Sequence, residues 1–316
     1  MSSPTGPASG LPVRMPRPRQ PGRHRRPEPV AAPEGAPALV LAVPGTPSST
    51  SRSLAEEVVS IARSELPGLD ARIGYLDGDD SEAAEASAFA EFPSLRAVLS
   101  RAAKERTARF EQARAAGADV AEPDGPVAVV VPLLAGPDSA LTRRIRQAVI
   151  DSRTAAELTD VLGPHPLLAE GLHVRLSEAG LARADRARLF TVATAADGII
   201  LASVGGDEAV QAAGITGMLL AARLAVPVMA AALDEEGAIA ATAEQLRGSG
   251  SQQLALAPYL IGPEIDASLL QAAANEAGCA SAESLGAYPA IGKLALSKYA
   301  TALGIAPQQP QGAPVR

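Results

Sequence analysis

Short, uninterrupted apolar runs alternate with longer amphipathic stretches along most of this chain. Ala38-Leu39-Val40-Leu41-Ala42-Val43 ends in Pro44-Gly45-Thr46-Pro47, and Ser53 to Val59 then carries apolar residues at helical spacing. That order predicts strand, loop and helix. Ala71 to Leu76 predicts a second strand. Asp77 to Glu91 is acidic and Ala-rich, a loop with a helical piece, and a charged helix follows from Phe92 to Ala116. Val127 to Leu134 is apolar on both alternating faces, as a strand covered on both sides of a parallel sheet must be. Ala135-Gly136-Pro137-Asp138 turns it into a helix holding Arg143, Arg144 and Arg146. Leu158 to Leu162 reads as a shorter fourth strand, leading through Gly163-Pro164-His165-Pro166 into an amphipathic helix that runs to Gly180.

The pattern then starts again. Gly198 to Gly205 repeats the first strand and its loop, Pro227 to Asp234 the second, Leu254 to Glu264 the third, and Leu285-Gly286-Ala287-Tyr288-Pro289 answers Leu162 to Pro166. The matched pairs Pro44 and Val204, Asp77 and Asp234, Pro132 and Pro258, and His165 and Tyr288 are offset by 160, 157, 126 and 123 positions. Four landmarks in one order indicate an internal duplication, and the falling offset reflects the longer acidic loop and helix of the first half. The predicted fold is α/β, with two similar lobes, each a small parallel sheet wrapped by helices, over residues 38–180 and 196–303. Right-handed crossovers open the carboxyl ends of the strands toward loops, so the cleft between lobes is the candidate site. Residues 1–37, rich in Pro and carrying Arg14, Arg17, Arg19, Arg23, Arg25 and Arg26, and residues 304–316 are expected to be disordered tails.

Composition narrows the function. A 47% hydrophobic content with 3% aromatics and no Trp builds cores from Ala, Val, Leu and Ile. A net charge of -7 argues against nucleic-acid binding, which needs a basic face. Cys279 is the only cysteine, which excludes an intrachain disulfide and a multi-cysteine metal site and suits a reducing compartment. No apolar stretch approaches the ~20 residues of a spanning helix, and the N-terminus lacks the apolar core of a secretory signal, so a cytoplasmic protein without membrane contact is expected. Gly45 to Thr50 lacks Walker and dinucleotide spacing, so no nucleotide cofactor is expected. Neither Thr46 nor Ser203 sits in a nucleophile elbow. Gly214 and Gly217, among alanines, predict close helix-to-sheet packing.

The strand leading to Pro44-Gly45-Thr46, the Pro132-Leu133-Leu134 strand with its Gly136 loop, and above all Leu162-Gly163-Pro164-His165-Pro166-Leu167-Leu168 resemble the sirohydrochlorin chelatase family. These are the class II chelatases that insert cobalt, iron or nickel into a tetrapyrrole. The resemblance spans residues 38 to 303 and implies a divalent metal as substrate and a tetrapyrrole partner for cobalamin or sirohaem synthesis. The family's first loop normally carries a metal-site histidine where this chain has Pro44, and the third-strand loop a second one, for which Asp138 is the nearest occupant. In the second half, Val204 and Glu264 stand at those positions.

Metal insertion needs a base for two pyrrole protons and a ligand for the cation, roles that a neutral imidazole combines and proline lacks. His165 and His173 lie about 12 Å apart along a helix, too far to share one ion. The remaining candidates are Asp138 and Glu264 as metal ligands, His165 as catalytic base, Gly45 and Thr46 as close backbone approach to a macrocycle, and Arg52 as carboxylate anchor. Each has a structural alternative. Acidic residues in helix-initiating loops are commonly N-caps, and His165 before a helix is commonly a first-turn residue. The group at Arg143 serves equally as a solvated helix face. If the chemistry is lost, the same cleft serves a noncatalytic tetrapyrrole or metal carrier.

Overall fold

The structure is a computed structural model that describes residues 31–33, 35–87, 90–119, 124–182, 195–262 and 264–304. Of the expected tails, residues 1–30, 34 and 305–316 lie outside the described residues. In chain order the first half runs β1 (Ala38–Val43), α1 (Ser49–Glu65), β2 (Ala71–Tyr75), α2 (Glu82–Ala86), α3 (Leu95–Ala115), β3 (Ala128–Pro132), α4 (Ser139–Asp151), β4 (Ala156–Leu158) and α5 (Pro166–Glu178). The second runs β5 (Gly198–Ser203), α6 (Gly206–Leu224), β6 (Val228–Ala232), α7 (Ala238–Gly248), β7 (Leu254–Pro258), α8 (Ala267–Ala277), β8 (Ala280–Ser281) and α9 (Pro289–Ala302). The fourth strand is earlier and shorter than the apolar run Leu158 to Leu162 predicted. Val161 and Leu162 are buried beyond the strand as part of the loop, so their apolarity reflects burial without ladder pairing.

Two four-stranded parallel sheets result, ordered β2-β1-β3-β4 and β6-β5-β7-β8. Their registers coincide under the offsets read from the sequence: Ala42 pairs with Pro132 as Ala202 pairs with Pro258, and Val43 with Tyr75 as Ser203 with Ala232. The lobes therefore repeat each other residue by residue at the sheet.

Alternation along each strand divides the cores. In the first lobe Val40, Ala42 and Val130 face Leu95, Val98 and Leu99 of α3 and Ile145 of α4. In the second, Ile200, Ala202 and Leu256 face Ile239, Ala243 and Leu246 of α7 with Ala273, Ala274 and Ala277 of α8. The opposite faces, Leu39, Leu41 and Val43 on one sheet and Ile199 and Leu201 on the other, belong to one apolar cluster shared by both lobes. The helices in this middle layer are α1, α5, α6 and α9.

The last helix of each half crosses to the other. α9 packs on α1 and on β1 and β3, while α5 packs on α6 and β7. Gly292 lets α9 approach α1 so closely that an added Cβ would stand 2.6 Å from Ile61 Cβ and 2.9 Å from the Val58 carbonyl oxygen. Tyr299 of α9 donates its hydroxyl to the Pro37 carbonyl at 2.7 Å, 262 residues away. On α5, Gly171 admits Leu285 and Tyr288, and His173 Nδ1 accepts from Arg223 Nε of α6 at 2.7 Å. Gly217 sits against Val228 and Leu201, the close helix-to-sheet approach expected of it, whereas Gly214 has no neighbour within 4 Å of a built Cβ. Among the described residues no helix is long and apolar enough to cross a membrane.

Candidate functional site

The loops at the carboxyl ends of the strands meet between the lobes. Gly205, after β5, lies against the Pro137 carbonyl and Asp138 of the loop after β3, while Gly262, after β7, lies against Leu54 of α1. Tyr259, at the end of β7, fills the centre. Its ring packs where Gly136 leaves room, and its hydroxyl reaches Gly163, where a Cβ would stand 2.3 Å from it. Burial pushes its phenol up to about 12 although the Thr216 hydroxyl donates to it at 3.1 Å.

Asp138 and Glu264, expected in matching loops, do come together. They line one small void with Ala135, Gly136, Ser203, Val204 and Tyr259, and its volume of 10 Å³ is about that of one water. Both carboxylates are engaged by backbone. Asp138 is the N-cap of α4 and accepts from Leu141 N at 2.8 Å. Glu264 accepts from Ile261 N at 2.8 Å and Gly262 N at 2.5 Å, with the Ala135 N–H of the other lobe also directed at it. Burial nevertheless outweighs these donors and raises the Glu264 carboxyl above its ordinary value. Glu264 is not the cap of α8; Asp266 is, accepting from Ser268 N at 2.8 Å.

His165 stands apart from this pair as the N-cap of α5, its Nδ1 accepting from Leu167 N at 3.1 Å. Burial, then the charge of Lys298, holds the imidazole below its ordinary pKa, so the ring is neutral near pH 7. With Nδ1 the acceptor, the single proton of that neutral ring belongs on Nε2, which makes the ring a donor as held. Among the described residues no three His, Cys, Asp or Glu side chains are grouped to hold a metal ion. Gly45 adopts φ +76 and Thr46 is exposed, and neither lines the small void. Arg52 pairs with Glu56 at 2.8 Å and Glu91 at 3.5 Å over a separate depression bordered by Arg72 and Tyr75.

A cavity of about 890 Å³ lies elsewhere on the junction. Its first wall is the carboxyl edge of β3 and β4 with the start of α4, contributing Pro132, Ser139, Thr142, Arg143, Arg146 and Thr159. Its second is α6 of the other lobe, with Glu208, Gln211 and Ile215, and Lys298 of α9 completes it. Arg144, on the same helix, turns away and pairs with Asp77. Among the described residues, no carboxylate pairs with Arg143, Arg146 or Lys298. Of the residues singled out in the sequence, Asp138 alone borders both this cavity and the small void. Lys298 and the α6 residues gave no sequence signal, because the helix exchange that delivers them is not visible in element order.

No family model and no curated protein matches the chain. Among solved structures, it is similar to a multi-domain protein of Deinococcus radiodurans described as structurally similar to chelatases and as having two additional novel domains. The TM-score is 0.53 at 19% identity, covering 84% of this chain and 55% of that one. The chain thus spans about half the length of that protein, and the likeness shows a chelatase-like two-lobed α/β fold. Looser overlaps, which carry no argument, are with a fatty acid ABC transporter substrate-binding protein of Thermomonospora curvata (TM-score 0.30, 11% identity, 81% and 60% coverage) and a periplasmic ribose ABC transporter protein of Conexibacter woesei (0.27, 14%, 86% and 71%).

Proposed function

We propose that the chain binds a polycarboxylate tetrapyrrole of the sirohydrochlorin class in the 890 Å³ cavity, as a carrier or regulatory protein built on a chelatase-like fold. The observation that carries this reading is the cavity itself, at the carboxyl edge of a parallel sheet, where Arg143, Arg146 and Lys298 form no ion pair among the described residues although Asp138, Asp160 and Glu208 share the lining. Arg143 and Arg146 lie one turn apart in the middle of α4, so both side chains can reach one ligand. Lys298 lines the same cavity from α9, so one ligand can meet charge from two helices. Its apolar body would rest on Leu158, Val161 and Ile215.

Carriage is preferred to metal insertion because of how the donors are used. Asp138 and Glu264 satisfy backbone N–H groups, and freeing either would strand those donors at a cost of roughly 1–3 kcal/mol each. His165 has its basic nitrogen in a cap bond. A divalent cobalt, iron or nickel ion would be substrate here, with no prepared ligand set among the described residues. The test is an absorbance titration with sirohydrochlorin followed by addition of Co²⁺. Saturable spectral change on binding, with metallation no faster than in buffer, is the expected result. Protein-dependent metallation would establish the enzyme instead, and no binding would remove the tetrapyrrole reading altogether.

A further inference from the structure

The two lobes carry equivalent elements but finish their surfaces differently. α1 and α6 hold matching places, each joining the first two strands of its lobe. The exposed face of α1 carries Arg52, Glu56, Ser60 and Arg63. The exposed face of α6 carries Ile215, Met218 and Leu219, which are 48%, 68% and 40% exposed. Among the described residues only Ile150 and Leu269 are other large apolar side chains so exposed, so the stripe is a concentration and not scatter. Equivalent packing duty on α1 is met with a polar outer face, so the fold does not require this apolar one.

The edge strands differ in the same sense. Beside β2 the chain returns on itself, with Tyr75 N donating to the Pro93 carbonyl and Ser94 N to that of Asp79, and Arg72 of β2 is paired with Asp70 and Glu105. Covered and charged edges resist pairing with other chains. The matching strand β6, Val228-Met229-Ala230-Ala231-Ala232, carries no charge, and no described strand pairs with its outer edge. Val228, Met229 and Ala230 are half-buried there. α6 packs over this strand, Gly217 against Val228, so bare edge and apolar stripe adjoin.

We propose that this face docks a second copy of the chain, β6 antiparallel to β6 and α6 antiparallel to α6 about a twofold axis. The charge on α6 suits that partner. Asp207 and Glu208 stand in its first turn and Arg223 in its last. An antiparallel crossing centred near Ile215 and Thr216 sets each acidic end beside the other copy's basic end, about 22 Å along the helix. A face whose charges complement each other about a twofold axis suits an isologous contact. The stripe and edge together offer a few hundred Å² per copy, below the roughly 800 Å² of a standard interface, so the association is concentration-dependent. This inference stands on the β6 edge with Met218 and Leu219; Ile215 and Glu208 of α6 also line the 890 Å³ cavity, so the association is tested without ligand there.

The test is sedimentation velocity of the full chain between about 1 and 100 μM, concentrations that bracket a micromolar dissociation constant. The mass is expected to rise from 32.0 kDa toward twice that value, with amide exchange of residues 228–232 slowing in step. Met218→Glu and Leu219→Glu are each expected to weaken association at least about tenfold, one decade in dissociation constant. Their melting temperature should hold because both side chains face solvent; Met218→Ser serves if either variant melts early. A monomer at every concentration, a dimer indifferent to these changes, or β6 protection without added mass would overturn the inference.

Discussion

Gly292 sits in the interior of α9, where alanine is ordinarily better than glycine by about 1 kcal/mol. Gly292→Ala should nevertheless destabilise the protein, because the crossed helix leaves no room. The new methyl would stand 2.6 Å from both Ile61 Cβ and Cγ2 and 2.9 Å from the Val58 carbonyl oxygen. Two of these atoms are backbone or Cβ, so no rotamer change relieves them, and α9 must lift off α1. Overpacking of this kind costs about 3 kcal/mol at its upper end, which leaves a net loss of about 2 kcal/mol after the propensity gain. The control is Gly214→Ala in α6, where nothing lies within 4 Å and the same propensity gain of about 1 kcal/mol should appear as stabilisation. Urea unfolding at unchanged m-value measures both. Opposite signs are expected. A Gly292→Ala protein as stable as the parent would refute the close crossing of α9, and with it the delivery of Lys298 to the cavity.

Two further changes probe the loop residues. Glu264 has a carboxyl raised above its usual 4.5, so the folded state holds its proton more tightly and this residue's contribution to stability falls as pH rises from 4.5 through the folded value. Glu264→Gln should abolish that decline, seen as a flatter plot of unfolding midpoint against pH between 4 and about 7; an unchanged slope would contradict the burial argument. Asp138→Ala should cost about 1 kcal/mol through the lost cap on Leu141 N, and Asp138→Asn much less, in thermal or denaturant melts. Equal losses for the two would mean the negative charge, not the acceptor, matters at that position.

Much of the architecture was legible because it is written in local patterns. The apolar runs at Ala38, Val127, Gly198 and Leu254 mark strands buried on both faces, and the offsets between halves reappear as identical pairing registers. The cap reading of Asp138 also follows from chemistry within three residues, whereas His165, read as a first-turn residue, stands one position earlier as the N-cap of α5. What the chain order hides is partnership between distant segments. Nothing local says that α9 packs on the first sheet or α5 on the second, and without that exchange Lys298 cannot be placed in one cavity with Arg146. Tyr259 answered Leu133 in the repeat, yet it occupies the gap that Gly136 and Gly163 leave in the other lobe. The Glu264 carboxylate lay in a helix-initiating loop like a cap, but Asp266 takes that role two residues later.

The claim at the centre of this account is that the cavity cations recognise an anionic ligand, and calorimetric titration of sirohydrochlorin into three proteins tests it most directly. Arg143→Ala combined with Arg146→Ala should weaken binding about tenfold or more, since each charge-assisted contact is worth roughly 1 kcal/mol or above and 1.4 kcal/mol is a decade. Arg144→Ala removes the same charge from the same helix outside the cavity and should leave the affinity within about twofold of the parent at moderate salt. Equal weakening by all three substitutions, or none by any, would contradict it.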